Sequence, residues 1–198
     1  MALFTLLEPA RFEEDIKKSR FLALAAPVDG AAQALQFFQE NSVPDATHNC
    51  WAYKIGAEYR FNDDGEPGGT AGRPILQAIE GQNCDRVAVL VVRWFGGVKL
   101  GTGGLVRAYG GATAQCLRLA GKRELIPMSR LRCRCSFSDL ALVQSRFESF
   151  GVQVQDEQFD GEGVSWVLAL PADKRAGFHQ AFVNMTRGQG KCAPLQAE

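Results

Sequence analysis

Six consecutive apolar residues, Val87 to Val92 within RVAVLVVRWF, constrain this chain more than any other stretch. The run is far too short to span a membrane and lacks the alternation of a half-solvated strand, so it reads as a strand buried on both faces. A glycine-rich turn, WFGGVKLGTGGL, follows it directly. From Gly103-Gly104 onward Leu105, Val106, Tyr109, Ala112, Cys116 and Leu117 recur at helical spacing, giving a strand, a turn and a helix. On that helix Arg107 and Arg118 lie about three turns apart, and so on nearly one face, with Gly111 and Ala114 between them.

The segments ahead of this unit alternate in kind. SRFLALAAPV (19–28) reads as a strand, and AAQALQFFQEN after Asp29-Gly30 reads as a helix. THNCWAYKIG and EYRF read as paired strands. NDDGEPGGTAGRP (62–74) is a loop, with a short helix expected near Ile75 to Glu80. Beyond Pro127 the order becomes LRCRCSFS (strand), DLALVQSRFESF (helix), VQVQDEQF and VSWVLALP (strands), PADKRAGFHQAFVNM (helix) and KCAPLQ (edge strand). That βαββαβ order predicts a ferredoxin-like second domain over 129–198, after a first domain over 1–128, in an α+β protein.

Formal net charge is zero over 198 residues, so the chain as a whole gives no warrant for a nucleic-acid or membrane partner. Its distribution is uneven. Arg86 to Arg134 holds ten lysines and arginines against the single Glu124, whereas Gly56 to Asp85 holds six acidic residues against Arg60 and Arg73. The six cysteines form no CxxC pair, and with only His48 and His179 no zinc spacing emerges, so reduced, partly buried thiols are expected. The N-terminus lacks the features of a secretory signal and no membrane span is present, which places the protein in the cytoplasm.

The glycine turn matches neither the Walker A spacing nor GxGxxG, because Val106 stands where the third glycine belongs. Glycines 101, 103 and 104 at a helix start, with Lys99 beside them, nevertheless suit an anion. Tight turning and close helix-to-sheet packing explain the same glycines equally well. In the acidic loop Asp63, Asp64 and Glu66 are hard oxygen ligands and His48 upstream is a candidate base, while Asp-Gly and Glu-Pro are turn formers in their own right. No metal site and no catalytic residue is assigned, and no cofactor is expected. No serine sits in a GxSxG elbow.

KKSRF (17–21), PDATHNCWAY (44–53), FNDDGEPGGTAGRP (61–74) and VVRWFGGVKLGTGGLVRAYGG (91–111) together resemble the IMPACT family, specifically its bacterial YigZ-like members. The resemblance implies a first domain like the second domain of ribosomal protein S5 and a ferredoxin-like second domain. It also implies translational regulation: eukaryotic relatives restrain activation of a kinase that phosphorylates an initiation factor, through a separate N-terminal domain. This sequence begins directly with the shared domain, so that mechanism is not expected here.

The reading that follows is a non-enzymatic, translation-associated regulator that binds RNA or the ribosome. Arg93, Gly97, Lys99, Gly101, Gly103, Gly104, Arg107 and Arg118 form its phosphate-binding surface. His48, Asp63, Asp64 and Glu66 are a loop candidate. Two other classes stay open. One is a nucleotide-binding enzyme or sensor like the small-molecule kinases of the S5-like fold, with Asp64 or Glu66 holding magnesium. The other is a protein-binding module.

Overall fold

The computed structural model describes residues 2–195, and its contacts divide the chain between Leu125 and Ile126. The first unit runs β1 (Leu3–Leu6), β2 (Ala10–Ile16), β3 (Ser19–Pro27), α1 (Ala31–Asn41), β4 (His48–Ile55), β5 (Glu58–Asn62), α2 (Gly72–Gly81), β6 (Val87–Trp94), α3 (Thr102–Leu119) and β7 (Lys122–Leu125). The second runs β8 (Met128–Ser136), α4 (Phe137–Gln144), α5 (Phe147–Phe150), β9 (Gln153–Phe159), β10 (Gly163–Pro171), a 3₁₀ turn (Ala172–Lys174), α6 (Arg175–Met185) and β11 (Lys191–Pro194).

β6 is the middle strand of an antiparallel sheet ordered β2-β3-β6-β4-β5. The apolar run has the covering it demands on both sides. Val87, Val89 and Val91 face α2 and α3 with Phe21, Cys50, Ile75, Tyr109 and Leu117. Ala88, Leu90 and Val92 face α1 with Phe38 and Tyr53. By the same alternation Arg93 falls on the α3 face and Trp94 on the α1 face, where the Arg20 guanidinium lies 4.6 Å from its ring.

Three strands in this unit escape a reading by periodicity. β2 alternates half-buried Ala10, Phe12, Glu14 and Ile16 with exposed Arg11, Glu13 and Asp15, and its charges mask the period of two expected of an edge strand. Phe4 of β1 bridges in parallel to Cys84, and β1 and β7 form a two-stranded sheet. That pairing keeps Lys122–Leu125 in the first unit, so the division falls three residues ahead of the boundary expected at 128/129. β8 already begins at Met128. α2 starts at Gly72, ahead of the expected Ile75, because the Asp63 carboxylate accepts hydrogen bonds from the N–H groups of Ala71 (3.0 Å) and Gly72 (2.8 Å).

In the second unit the strands are ordered β11-β8-β10-β9, all antiparallel. Leu131, Cys133 and Cys135 turn one face of β8 into a core with Trp166, Phe178 and Phe182, and exposed Arg130 and Arg132 mark the other face. The expected helix DLALVQSRFESF is two pieces, α4 and α5, separated at Ser145-Arg146, where the Ser145 hydroxyl bonds back to the Leu142 carbonyl. All six cysteines are free thiols. Burial pushes Cys50 up to about 12 and Cys116 and Cys135 up to about 11. Across the β8–β11 pair, a hydrogen bond between Cys133 and Cys192 raises the first thiol and lowers the second.

The turn after β6 packs directly on the β2–β3 hairpin. A Cβ at Gly96 would lie 1.8 Å from the Lys18 carbonyl oxygen, so no side chain fits without moving backbone. Gly96→Ala is therefore expected to lower the stability of the protein by about 2–4 kcal/mol, measured as the loss in midpoint in urea unfolding followed by circular dichroism.

Candidate functional site

Backbone pairing brings three strands' side chains into one row. Arg93 on β6 is the register partner of Phe21 on β3 and of His48 on β4, and all three face α3. Above this row sits Glu66, delivered by the loop between β5 and α2. The loop is held by its own first residues: Asp63 accepts from the N–H groups of Gly69, Ala71 and Gly72, and Asp64 accepts from the N–H of Asn49.

Arg93 and Glu66 are 5% and 8% exposed, an internal ion pair. Arg93 Nη1 donates to Glu66 Oε1 at 2.6 Å, and the Tyr109 hydroxyl donates to the same oxygen at 2.7 Å. Nη2 donates to the Ser19 hydroxyl at 3.3 Å. The guanidinium lies 5.5 Å from each of the Phe21 and Phe95 rings. Arg93 Nε is buried without a partner among the described residues. Burial also pushes the Tyr109 hydroxyl upward, so it stays protonated and available as a donor.

His48 lies at the edge of this network. Its Nδ1 is 2.7 Å from the Asp64 carbonyl oxygen, which can only accept, so Nδ1 carries the hydrogen. Nε2 is 3.8 Å from Glu66 Oε1. Over the network opens a cavity of about 380 Å³, walled by Pro67, Phe95, Leu100 and Leu105 and carrying His48, Glu66, Arg93 and Lys99 at its polar points. Gly101 and Thr102, the start of α3, complete the wall.

α3 begins here because Gly101 adopts φ +73°, a conformation that admits the abrupt turn into the helix. Its first internal bond runs from the Leu105 N–H to the Gly101 carbonyl, which leaves the N–H groups of Thr102, Gly103 and Gly104 ahead of the ladder. No acidic residue occupies the first turn. A second cavity, of about 370 Å³, lies on the other side of this turn between β2 and α3. It shares Leu100 with the first and is lined by Glu14, Lys17, Gly104, Arg107 and Gln115.

The structure thus distributes the expected phosphate-binding residues. Lys99 and Gly101 share a cavity with His48, Glu66 and Arg93, while Gly104 and Arg107 line the neighbouring one. Gly97, with φ +85°, is exposed on the turn after β6, and Gly103 is exposed at the start of α3. Arg93 is internal and already paired. Arg118 lies at the far end of α3, bonded to Gln115. Asp63 and Asp64 build the loop and line neither of these cavities.

The basic stretch seen in the sequence is divided as well. Arg130, Arg132 and Arg134 belong to the second unit, where Arg134 pairs with Asp160 and Glu162. Lys17 and Lys18, in contrast, join the site unannounced. They form the tight β2–β3 turn with φ of +48° and +69°, beside Gly96. Register between β3 and β6 was the signal that would have placed them there.

These features define a two-unit α+β protein whose first unit gathers cations and a cavity around the start of one helix, over an internal Arg–Glu pair. A family model, the Impact N-terminal domain, matches residues 17–117, and a second, a domain of unknown function designated DUF1949, matches residues 133–189. The chain belongs to the IMPACT family. It is 47% identical over 175 residues to an IMPACT family member of Thermus thermophilus, covering 88% of this chain and 97% of that protein. It is 35% identical over 187 residues to the IMPACT family member YigZ of Escherichia coli, covering 91% of each. Protein IMPACT of Rattus norvegicus matches at 39% over 95 residues, 43% of this chain and 29% of that protein. A crystal structure described as that of an hypothetical protein superposes with a TM-score of 0.70 at 33% identity, covering all of this chain and 98% of that one.

Neutralising Glu66 strands the Arg93 charge in the interior. Glu66→Gln is expected to cost about 3–5 kcal/mol. Glu66→Gln combined with Arg93→Gln is expected to cost clearly less than the sum of the two single changes, as read from a double-mutant cycle in urea.

Proposed function

We propose that this protein is a non-enzymatic regulator associated with translation, acting in the cytoplasm by binding RNA, free or within the ribosome. The observation that carries this reading is the set of exposed cations around the first turn of α3. Lys17, Lys18, Lys99 and Arg107 make no salt bridge among the described residues, and helix N–H groups lie between them. Unpaired cations at a helix start favour phosphate, and several on one rim favour a polymer of phosphates.

The fold reading points the same way. A β3-β6-β4 sheet with α3 behind it suits an S5 domain 2-like first domain, and the strand order β11-β8-β10-β9 suits a ferredoxin-like second domain. Membership of the IMPACT family supports translational regulation as the setting. The kinase-like alternative is weakened by the acidic loop. Asp64 accepts from the Asn49 N–H, and the charge of Glu66 is already balanced by Arg93, which disfavours adding a magnesium ion there.

Binding of single-stranded RNA measured across a salt series tests this reading. Lys99→Ala and Arg107→Ala are each expected to weaken binding and to reduce the slope of log K against log salt by about 0.7. Binding that is absent, or insensitive to salt, overturns the reading.

The hairpin turn supplies a second test. Two-residue turns of this kind favour Asn-Gly, and Lys17-Lys18 holds two non-glycine residues at positive φ. Lys17→Asn with Lys18→Gly is expected to raise stability by about 1 kcal/mol while weakening RNA binding. A variant that is both more stable and fully active in binding removes these lysines from the site.

A further inference from the structure

We propose that the cavity between α3 and the β5–α2 loop receives one unstacked guanine nucleotide, its base against Phe95 and its phosphate at Lys99 and the start of α3. The proposal rests on the RNA reading above and assigns what the cavity itself recognises.

Three observations lead to it. The first is the wall. Phe95 is 45% exposed although it follows directly on β6, and its ring flanks a cavity otherwise walled by Pro67, Leu100 and Leu105. An exposed ring beside a guanidinium and a lysine is a platform for a base, since every base offers a π-face. The volume, about 380 Å³, suits a mononucleotide and excludes a duplex.

The second is the pattern of acceptors. With Nδ1–H given to the Asp64 carbonyl, His48 Nε2 lies 3.8 Å from Glu66 Oε1. Both hydrogen bonds to Glu66 end on Oε1, which leaves Oε2 without a partner among the described residues. An unpartnered carboxylate oxygen in a residue that lines the cavity is open to a donor from a bound molecule. Guanine supplies adjacent donors, N1–H and the 2-amino group. Adenine and uracil do not present that pair.

The third is the unpaired donor. Arg93 Nε is buried and unbonded in a residue that lines this cavity. A buried N–H without an acceptor is costly, and guanine O6, next to N1, is an acceptor of the right kind. At the outer end the free N–H groups of α3 and Lys99 are placed for the phosphate.

Calorimetry on the full chain with GMP, IMP, AMP and UMP tests the base. GMP is expected to bind about tenfold or more tightly than IMP, which lacks the 2-amino donor, or than AMP and UMP. Phe95→Ala, a change at an exposed side chain, is expected to weaken GMP by a similar factor. Leu105→Trp, which fills the cavity, is expected to abolish it, with circular dichroism reporting whether that variant folds. In parallel, an oligouridine carrying one guanosine is compared with one carrying none.

Equal binding of the two oligonucleotides together with no GMP binding overturns the guanine pocket and leaves the RNA reading intact. GMP binding without oligonucleotide binding overturns the RNA reading and leaves a small-molecule nucleotide site. Equal affinity for all four mononucleotides overturns the assignment of Glu66 to the base edge.

Discussion

The internal pair of Arg93 and Glu66 is the contact on which the rest of the first unit's functional end depends. A charge placed at the end of a buried strand is tolerable only if its partner arrives with good geometry. The partner here comes from a loop rich in glycine and proline that has no regular structure of its own. Tyr109 on α3 donates to the same carboxylate oxygen, and Ser19 on β3 receives the second guanidinium nitrogen. One carboxylate therefore ties together β3, β6, α3 and the acidic loop. The loop's acidic character follows from this: Asp63 holds backbone N–H groups, Asp64 holds Asn49, and Glu66 holds the arginine.

The glycine turn divides differently from what its composition suggests. Gly96 is required by contact with the Lys18 carbonyl and Gly101 by a positive φ, both demands of chain geometry. Glycine content therefore says little about ligands. What this end of the sheet adds is the convergence of charge: Lys17, Lys99 and Arg107 line cavities around one helix start, whereas Arg86, Arg93 and Arg134 in the basic stretch are matched by carboxylates.

Much of this was legible in the sequence, and what was not has definite physical causes. The apolar run of β6, the α3 pattern and the βαββαβ order of the second unit are set by local periodicity, which survives without tertiary information. β2 was hidden by its charges and β1 and β7 by their brevity, since their pairing joins distant parts of the chain. Lys99, Gly101, His48 and Glu66 stood out singly but not as one cavity. Their meeting depends on the register of β4 with β6 and on the capping of α2 by Asp63, neither of which spacing encodes. Arg93 stood out as a cation, and only the strand's alternation combined with the approach of Glu66 makes it internal.

Several features unfavourable to stability meet at this end of the sheet. Lys17 and Lys18 hold left-handed backbone at a cost of about 1 kcal/mol each. Phe95 leaves much of its ring in solvent, and Arg93 Nε lacks an acceptor. Elsewhere in the first unit the core is closed and paired: Val87 to Val92 are fully buried, and the Asp63 carboxylate is satisfied three times over. A chain that resolves its polar groups so completely around α2 and leaves them open around the start of α3 has its unmet interactions in one place. Unmet donors, acceptors and an exposed ring on the wall of one cavity are the complement of a ligand that is flat, polar at its edge and anionic at one end.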